Sequence, residues 1–201
     1  TVEVLAHQRL SRASGTLLQD VTASVERAVS LLHLGAAAHF DAWPAPAAYT
    51  PVPQYAAATA RLSRGDLIAA CERMAEPLRH YNPDLFISCQ AYRSEVRNLL
   101  ATSGGLLHAH TATAWSLGAF VQRTQDTDIL IAHDSRAWGD ADAYFEPDAI
   151  AAKILQQLRW AEHTVAAPVG RTTVFAPPEV LNLFLVPLYL GINGRTVAKG
   201  E

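Results

Sequence analysis

LFISCQAYRSEVRNLLATSGGLLHAHTATAWSLGAFVQRTQDTDILIAHDS, residues 85–135, has no apolar stripe at helical spacing. β-branched, aromatic and small residues alternate with polar ones, and clusters of turn residues interrupt the run. A period of two places successive side chains on opposite faces of a sheet, so this stretch reads as antiparallel strands. The breaks divide it into strands at about 85–92, 95–102, 105–115 and 117–124, with 126–133 as a fifth. Ser103-Gly104-Gly105 supplies the tightest turn, where glycine admits positive φ.

Helices flank the strands. Upstream, Leu67, Cys71, Met74 and Leu78 make a stripe that predicts a helix over 64–80, opened by Ser63 and Asp66 as a variant capping box. Downstream, Pro147 lies in the first turn of EPDAIAAKILQQLRWAEH (146–163), whose Ile150, Ile154, Leu158 and Ala161 share a face. Residues 166–170 end that helix. Helix, antiparallel meander, helix is an α+β layer: a meander sheet flanked by amphipathic helices, without the βαβ rhythm of a doubly wound sheet.

Further out, residues 2–14 alternate as a short hairpin with Val2, Val4 and Ala6 on one face. A helix over about 20–34 follows, with Val21, Val25, Ala28 and Leu32 as its stripe, Asp20 as its cap and Gly35 weakening its end. Residues 41–53, DAWPAPAAYTPVP, carry Pro44, Pro46, Pro51 and Pro53, which remove backbone donors and predict an extended connector. Near the other end, RTTVFA (171–176) reads as a strand. Pro177-Pro178 then opens an apolar segment whose core, Leu183 to Ile192, is shorter than the roughly 20 residues a membrane span needs. Such a segment reads as a helix or strand packed on further protein rather than as an anchor, and Pro187 would bend a helix there.

The chain has 201 residues, 50% hydrophobic and 17% charged, with a formal net charge of -3. That is too apolar for a disordered chain and ample for one large core or two small ones. Its 16 basic residues are scattered, which argues against a nucleic-acid partner, since counterion release needs a concentrated basic surface. The opening TVEVLAHQRL reads as strand interior and not as a signal peptide. Cys71 and Cys89 lack a Cys-x-x-Cys pattern and read as small buried hydrophobes in a reducing cytoplasm, with a disulfide between them as the alternative.

Few residues suggest chemistry. His108 and His110 lie two apart on a strand, so both imidazoles share a face; the pair could hold a metal if His133 or Asp134 supplied a third ligand. A polar sheet face is the plainer reading of the same pair. Asp126, Asp128 and Asp134 could hold an acid–base pair, but Asp126 and Asp128 flank Thr127 in an ordinary turn composition. Ser103 in TSGG is no nucleophile elbow. Trp115, Trp138 and Trp160 read as core or interface packing rather than a stacking platform. Neither a phosphate loop nor a dinucleotide fingerprint occurs. No catalytic, cofactor-binding or metal-binding residue is assigned on these grounds, and His108 and His110 remain outside candidates.

The order of segments resembles the TldD/PmbA family, also called modulator of DNA gyrase, whose members form a peptidase complex. VEVLAHQRLSRASGTLLQDVTASVERAVSLL (2–32) is similar to the strand–glycine–strand–helix passage closing that family's first domain. LLATSGGLLH (99–108) resembles its Asn-Ser-x-Gly turn, with Thr102 in place of Asn. HTVAAPVGRTTVFAPPEVLNLFL (163–185) resembles the Pro-x-Gly, strand, Pro, apolar-helix passage opening its last domain, and GRTVAKGE (194–201) resembles the loop after it. The resemblance implies four parts: 1–40 as the end of the first domain, 41–62 as a Pro/Ala-rich connector, 63–168 as the central α+β domain, and 169–201 as the start of the last domain. It also implies that the chain is a fragment of such a protein, cut short at both ends.

In metal-binding members of that family the apolar helix carries His-Glu-x-x-x-His, two ligands and a general base for peptide hydrolysis. Counted back from Gly194 and Lys199-Gly200, those positions fall on Leu185, Val186 and Leu190, and no histidine follows His163. The departure resembles the family's non-metal branch, the PmbA or TldE-like subunit. The resemblance therefore implies a non-catalytic, cytoplasmic subunit without a cofactor of its own, paired with a metal-bearing TldD-like partner or as a homo-dimer around a peptide substrate. Two alternatives remain: an active metallopeptidase with its site outside this stretch, or a stand-alone DNA-related binding module.

Overall fold

A computed structural model describes residues 1–16, 20–163, 165–166, 168–176 and 178–200. It divides into two units, Thr1–Ala161 and Glu162–Glu201.

The first unit opens with β1 (Val2–Ala6) and β2 (Arg9–Ala13), antiparallel with Ala6 opposite Arg9. The two-residue turn between them places His7 and Gln8 at φ 51° and 55°, the left-handed geometry that matches strand twist. Helix α1 (Val21–Ser30) packs its Ser24 and Ala28 inward, and the Ser11 hydroxyl donates to the Ala28 carbonyl. Of the expected stripe Ala28 is buried and Leu32 half-buried, whereas Val21 and Val25 are exposed, and the Asp20 side chain caps nothing. The buried residues on both sides are small, Ser24 and Ala28 of the helix and Ser11 and Ala13 of β2. A 3₁₀ turn, Leu32–Leu34, leads to β3 (Ala36–Ala37), which pairs with β2.

Residues 41–56 form no regular element, as their prolines require. After α2 (Ala57–Arg61), α3 (Arg64–Tyr81) begins at the expected capping box: Ser63 Oγ accepts from Asp66 N at 3.1 Å, and Asp66 Oδ2 accepts from Ser63 N at 2.8 Å. The helix continues through Pro77.

The central sheet has order β4-β5-β6, from Phe86–Ala101, Leu107–Gln125 and Asp128–Trp138. Three long strands therefore replace the four or five short ones expected. The polar residues around 93–94 and at 116 that looked like breaks are in-strand: Arg93 pairs with Trp115 and Tyr92 with Ser116. A sheet open on one face tolerates polar side chains without turning, which is why alternation alone could not locate the strand ends. The turn at 103–105 falls where expected, with Gly105 at φ +91°.

One sheet face is covered. Trp115, Leu117, Ala119 and Val121 of β5 and Ala132 of β6 meet Met74 and Leu78 of α3 and Ile150, Ile154 and Leu158 of α5 (Pro147–Trp160) in a single buried cluster. The predicted α5 face is thus the core face. On α3, Ala70 and Ala75 join Met74 and Leu78, while Leu67 and Cys71 are only half-buried. A guanidinium–carboxylate pair, Arg73 with Asp148, ties the two helices outside the core. Short α4 (Ala141–Tyr144) links β6 to α5.

Beyond this core the β4–β5 hairpin continues as an arm, because β6 ends opposite Trp115. The 41–56 connector lies along that arm. Thr113 N donates to Gln54 O at 2.9 Å, Thr113 Oγ1 accepts from Ala56 N at 2.8 Å, and Thr102 Oγ1 donates to Pro44 O at 3.3 Å. At Gly104 a β-carbon would lie 2.8 Å from Pro44 O and 2.9 Å from Trp43 O, so the close approach requires glycine.

In the second unit, RTTVFA (171–176) forms no strand, a correction. Its residues are exposed and have no neighbouring strand to pair with among the described residues; β-propensity without a partner does not make a sheet. Pro177 lies outside the described residues. A 3₁₀ turn, Pro178–Val180, leads into α6 (Leu181–Gly191), a helix that accommodates Pro187. The sequence GRTVAK, expected as a loop, forms the short helix α7 (Gly194–Lys199). No helix of the described residues is long and apolar enough to cross a membrane.

Candidate functional site

The apolar helix is the first place to look. Leu185, Val186 and Leu190 all fall within α6, the type of element on which the resemblance places metal ligands. A metallopeptidase site needs lone pairs for a cation and a base for water. These three aliphatic side chains offer neither. Among the described residues no group of three or more His, Cys, Asp or Glu is placed to hold an ion.

His108 and His110 do share a face of β5, with ring centroids 5.4 Å apart and planes inclined by 40°. Register places Asn98 of β4 opposite His110, and Asn98 Nδ2 lies 3.2 Å from His110 Nε2. The other ring nitrogen, Nδ1, is buried without a hydrogen-bond partner among the described residues. Tyr49, on the connector, lies with its ring 5.8 Å from that of His108. Connector and arm together line an open cleft of about 690 Å³ bordered by Tyr49–Val52, Gln54, Leu100, Leu106 and the two histidines.

The expected third ligands are elsewhere, which corrects that part of the sequence reading. His133 pairs with Phe120 and Asp134 with Ala119 on β6. At roughly 3.4 Å per residue, they stand about 30 Å along the sheet from His110. Asp134 instead faces Lys153, with Oδ1 3.5 Å from Nζ. Asp126 occupies the β5–β6 turn at φ 52° and Asp128 approaches Arg123 at 3.9 Å, so the three aspartates do not converge into an acid–base pair. Ser103 sits in the hairpin turn. Of the tryptophans, Trp115 is core and meets Phe145 edge-on at 5.3 Å, Trp138 packs on Tyr144, and Trp160 is exposed.

Cys71 and Cys89 are free thiols that line one cavity of about 460 Å³ between α3 and β4, together with Arg64, Glu72 and Arg79. Burial pushes both thiols up, and each has a second contribution: Glu72 for Cys71, and the Cys71 thiol for Cys89. The spacing of the cysteines carries no signal of this convergence, which only the alternative of a disulfide between them anticipated; both thiols are free. Asn98 could have been found. A turn centred on Gly104 fixes the hairpin register and sets Asn98 against His110.

No family model matches this chain, and no curated protein matches it. The solved structures it is similar to include two TldD/PmbA-type proteins. One is TldE from Thermococcus kodakarensis, 16% identical with a TM-score of 0.67, covering 81% of this chain and 38% of that one. The other is a candidate modulator of a DNA gyrase from Thermotoga maritima, 12% identical with a TM-score of 0.62, covering 77% of this chain and 35% of that one. The chain thus spans somewhat over a third of the length of either structure. At these identities the likeness is one of fold, and the fold of this chain is the TldD/PmbA type that the order of its segments implied.

Proposed function

We propose that the chain belongs to a catalytically silent, TldE-like subunit of a cytoplasmic TldD/PmbA-type peptidase complex. Its role there is to pair with a metal-bearing TldD-like subunit, or with a second copy, and to supply wall and interface to a chamber in which the partner cleaves peptides. The observation that supports this reading is that Leu185, Val186 and Leu190, the positions the resemblance matches to the metal motif, lie on α6 and offer neither a ligand nor a base. The fold likeness to a protein named TldE supports it, and two free cysteines suit a reducing compartment.

The test is a peptide-cleavage assay on the purified chain, alone and mixed with a metal-bearing TldD-like subunit. The chain alone should cleave nothing, with or without added zinc, and the mixture should exceed the partner by itself. Chelator-sensitive cleavage by the chain alone would overturn the reading.

A further inference from the structure

We propose that the outer edge of β4 pairs antiparallel with the same strand of a second copy of this chain, about a two-fold axis at Val96. The proposal concerns how copies of the chain associate and does not rest on the functional reading above.

β4 is an end strand of the β4-β5-β6 sheet. Among the described residues no backbone hydrogen bond joins Phe86–Ala101 to any segment other than β5. A long strand with one free edge is a template for another strand, and proteins block such pairing with prolines, bulges or charges. β4 contains no proline, and it pairs residue for residue with β5, so no bulge interrupts it. Only charge remains, and here the charges select a partner instead of excluding one.

Residues 92–100, YRSEVRNLL, are matched in character about Val96. Alternation puts the even-numbered residues on one face of the sheet and the odd-numbered ones on the other. On the even face, exposed Tyr92, Val96 and Leu100 alternate with polar Ser94 and Asn98. A two-fold axis at Val96 sets Tyr92 opposite Leu100 of the second copy, Ser94 opposite Asn98, and Val96 opposite itself. On the odd face it sets Glu95 opposite Arg97 twice, and the Arg93 stem along Leu99. Glu95 and Arg97 are exposed and form no ion pair among the described residues. Apolar pairs and opposite charges directly across an antiparallel ladder stabilise it, and like charges there destabilise it.

Neighbouring registers match less well. An axis at Glu95 would set Glu95 opposite itself and Arg93 opposite Arg97. An axis at Ser94 would leave Leu100 opposite Ser88 and would draw on Arg93, whose guanidinium already donates to Ala60 O.

The chosen register also leaves room. Helix α3 borders β4 at Ile87, Cys89 and Ala91. Cys89 lies seven residues before Val96, roughly 24 Å from the axis at about 3.4 Å per residue, so the two copies of α3 stand clear of each other. Residues 91–101 of the two copies would then share about ten backbone hydrogen bonds, as many as a typical specific interface holds.

The experiment is analytical ultracentrifugation of the purified, untagged 201-residue chain over a concentration series. The wild type should sediment as a monomer–dimer equilibrium. Arg97→Glu and Glu95→Arg should each raise the dissociation constant at least about tenfold, since each places like charges opposite one another twice. Mixed in equal amounts, the two variants should associate about as tightly as the wild type, because each supplies the charge that the other lacks. Misfolding could not produce that recovery. Val96→Cys should give a disulfide-linked dimer under glutathione disulfide, beyond any formed by the wild type or by Ser94→Cys. A wild-type chain that stays monomeric would overturn the proposal and leave the edge to a different protein. So would a dimer unmoved by both charge reversals, or a mixture of the two weakened variants that fails to recover.

Discussion

Replacing Gly104 with alanine tests whether the connector is fastened to the arm. The new β-carbon would lie 2.8 Å from Pro44 O, 2.9 Å from Trp43 O and 3.3 Å from Pro44 C. All three are backbone atoms, so no flexible side chain can swing aside. Over-packing of this kind costs typically about 1–3 kcal/mol when the structure must absorb it. Here the structure has an alternative, which is to release the connector near Pro44. Release breaks the Thr102 Oγ1 hydrogen bond to Pro44 O, and an exposed neutral hydrogen bond contributes about 1 kcal/mol. It is therefore the smaller cost. Global stability in urea should fall by about 1 kcal/mol, while cleavage of residues 41–53 by a nonspecific protease should rise several-fold. Gly139→Ala is the control: its β-carbon would meet Thr113 O at 3.6 Å, an ordinary contact, so neither readout should move by the same amount. A Gly104→Ala chain with unchanged protease protection and unchanged stability would refute the reasoning.

Two further outcomes follow from packing and charge. Ile154→Ala, at the fully buried centre of the sheet–helix core, should cost about 2–5 kcal/mol, whereas Ile129→Ala on the open sheet face should cost well under half as much; urea midpoints compare them. Hydrogen bonds from the Ser63 side chain and backbone hold the Asp66 carboxyl below its ordinary 3.8, so its stabilising contribution is present above that value and is lost as pH falls through the lower folded-state value. The stability difference between the wild type and Asp66→Ala should accordingly be constant near neutral pH and shrink below about pH 3.8 in acid-dependent urea melts.

What was legible in the sequence was local. The Ser63/Asp66 box fixed the start of α3, Pro147 that of α5, and the double glycine at 104–105 the long hairpin, because caps and turns depend on residues only a few positions apart. The apolar face of α5, and the Met74 and Leu78 part of that of α3, were legible for the same reason, as a helix brings every third or fourth residue together.

Tertiary structure decided the rest. Whether Arg93-Ser94 turns the chain or stays in a strand depends on whether the sheet face beneath it is covered, and alternation is the same in both cases. On α1 only the packing against the hairpin separated Ala28, which is buried, from Val25, which shares its predicted stripe but is exposed. Separation along a strand, about 3.4 Å for each residue, removed His133 from His110, while β pairing delivered Asn98 to it. The aliphatic character of Leu185, Val186 and Leu190 was written in the sequence. That the same chain holds two imidazoles under a proline-rich connector was not, because 41–56 meets the arm only through residues some fifty or more positions apart, and such pairings exist only once the sheet has formed.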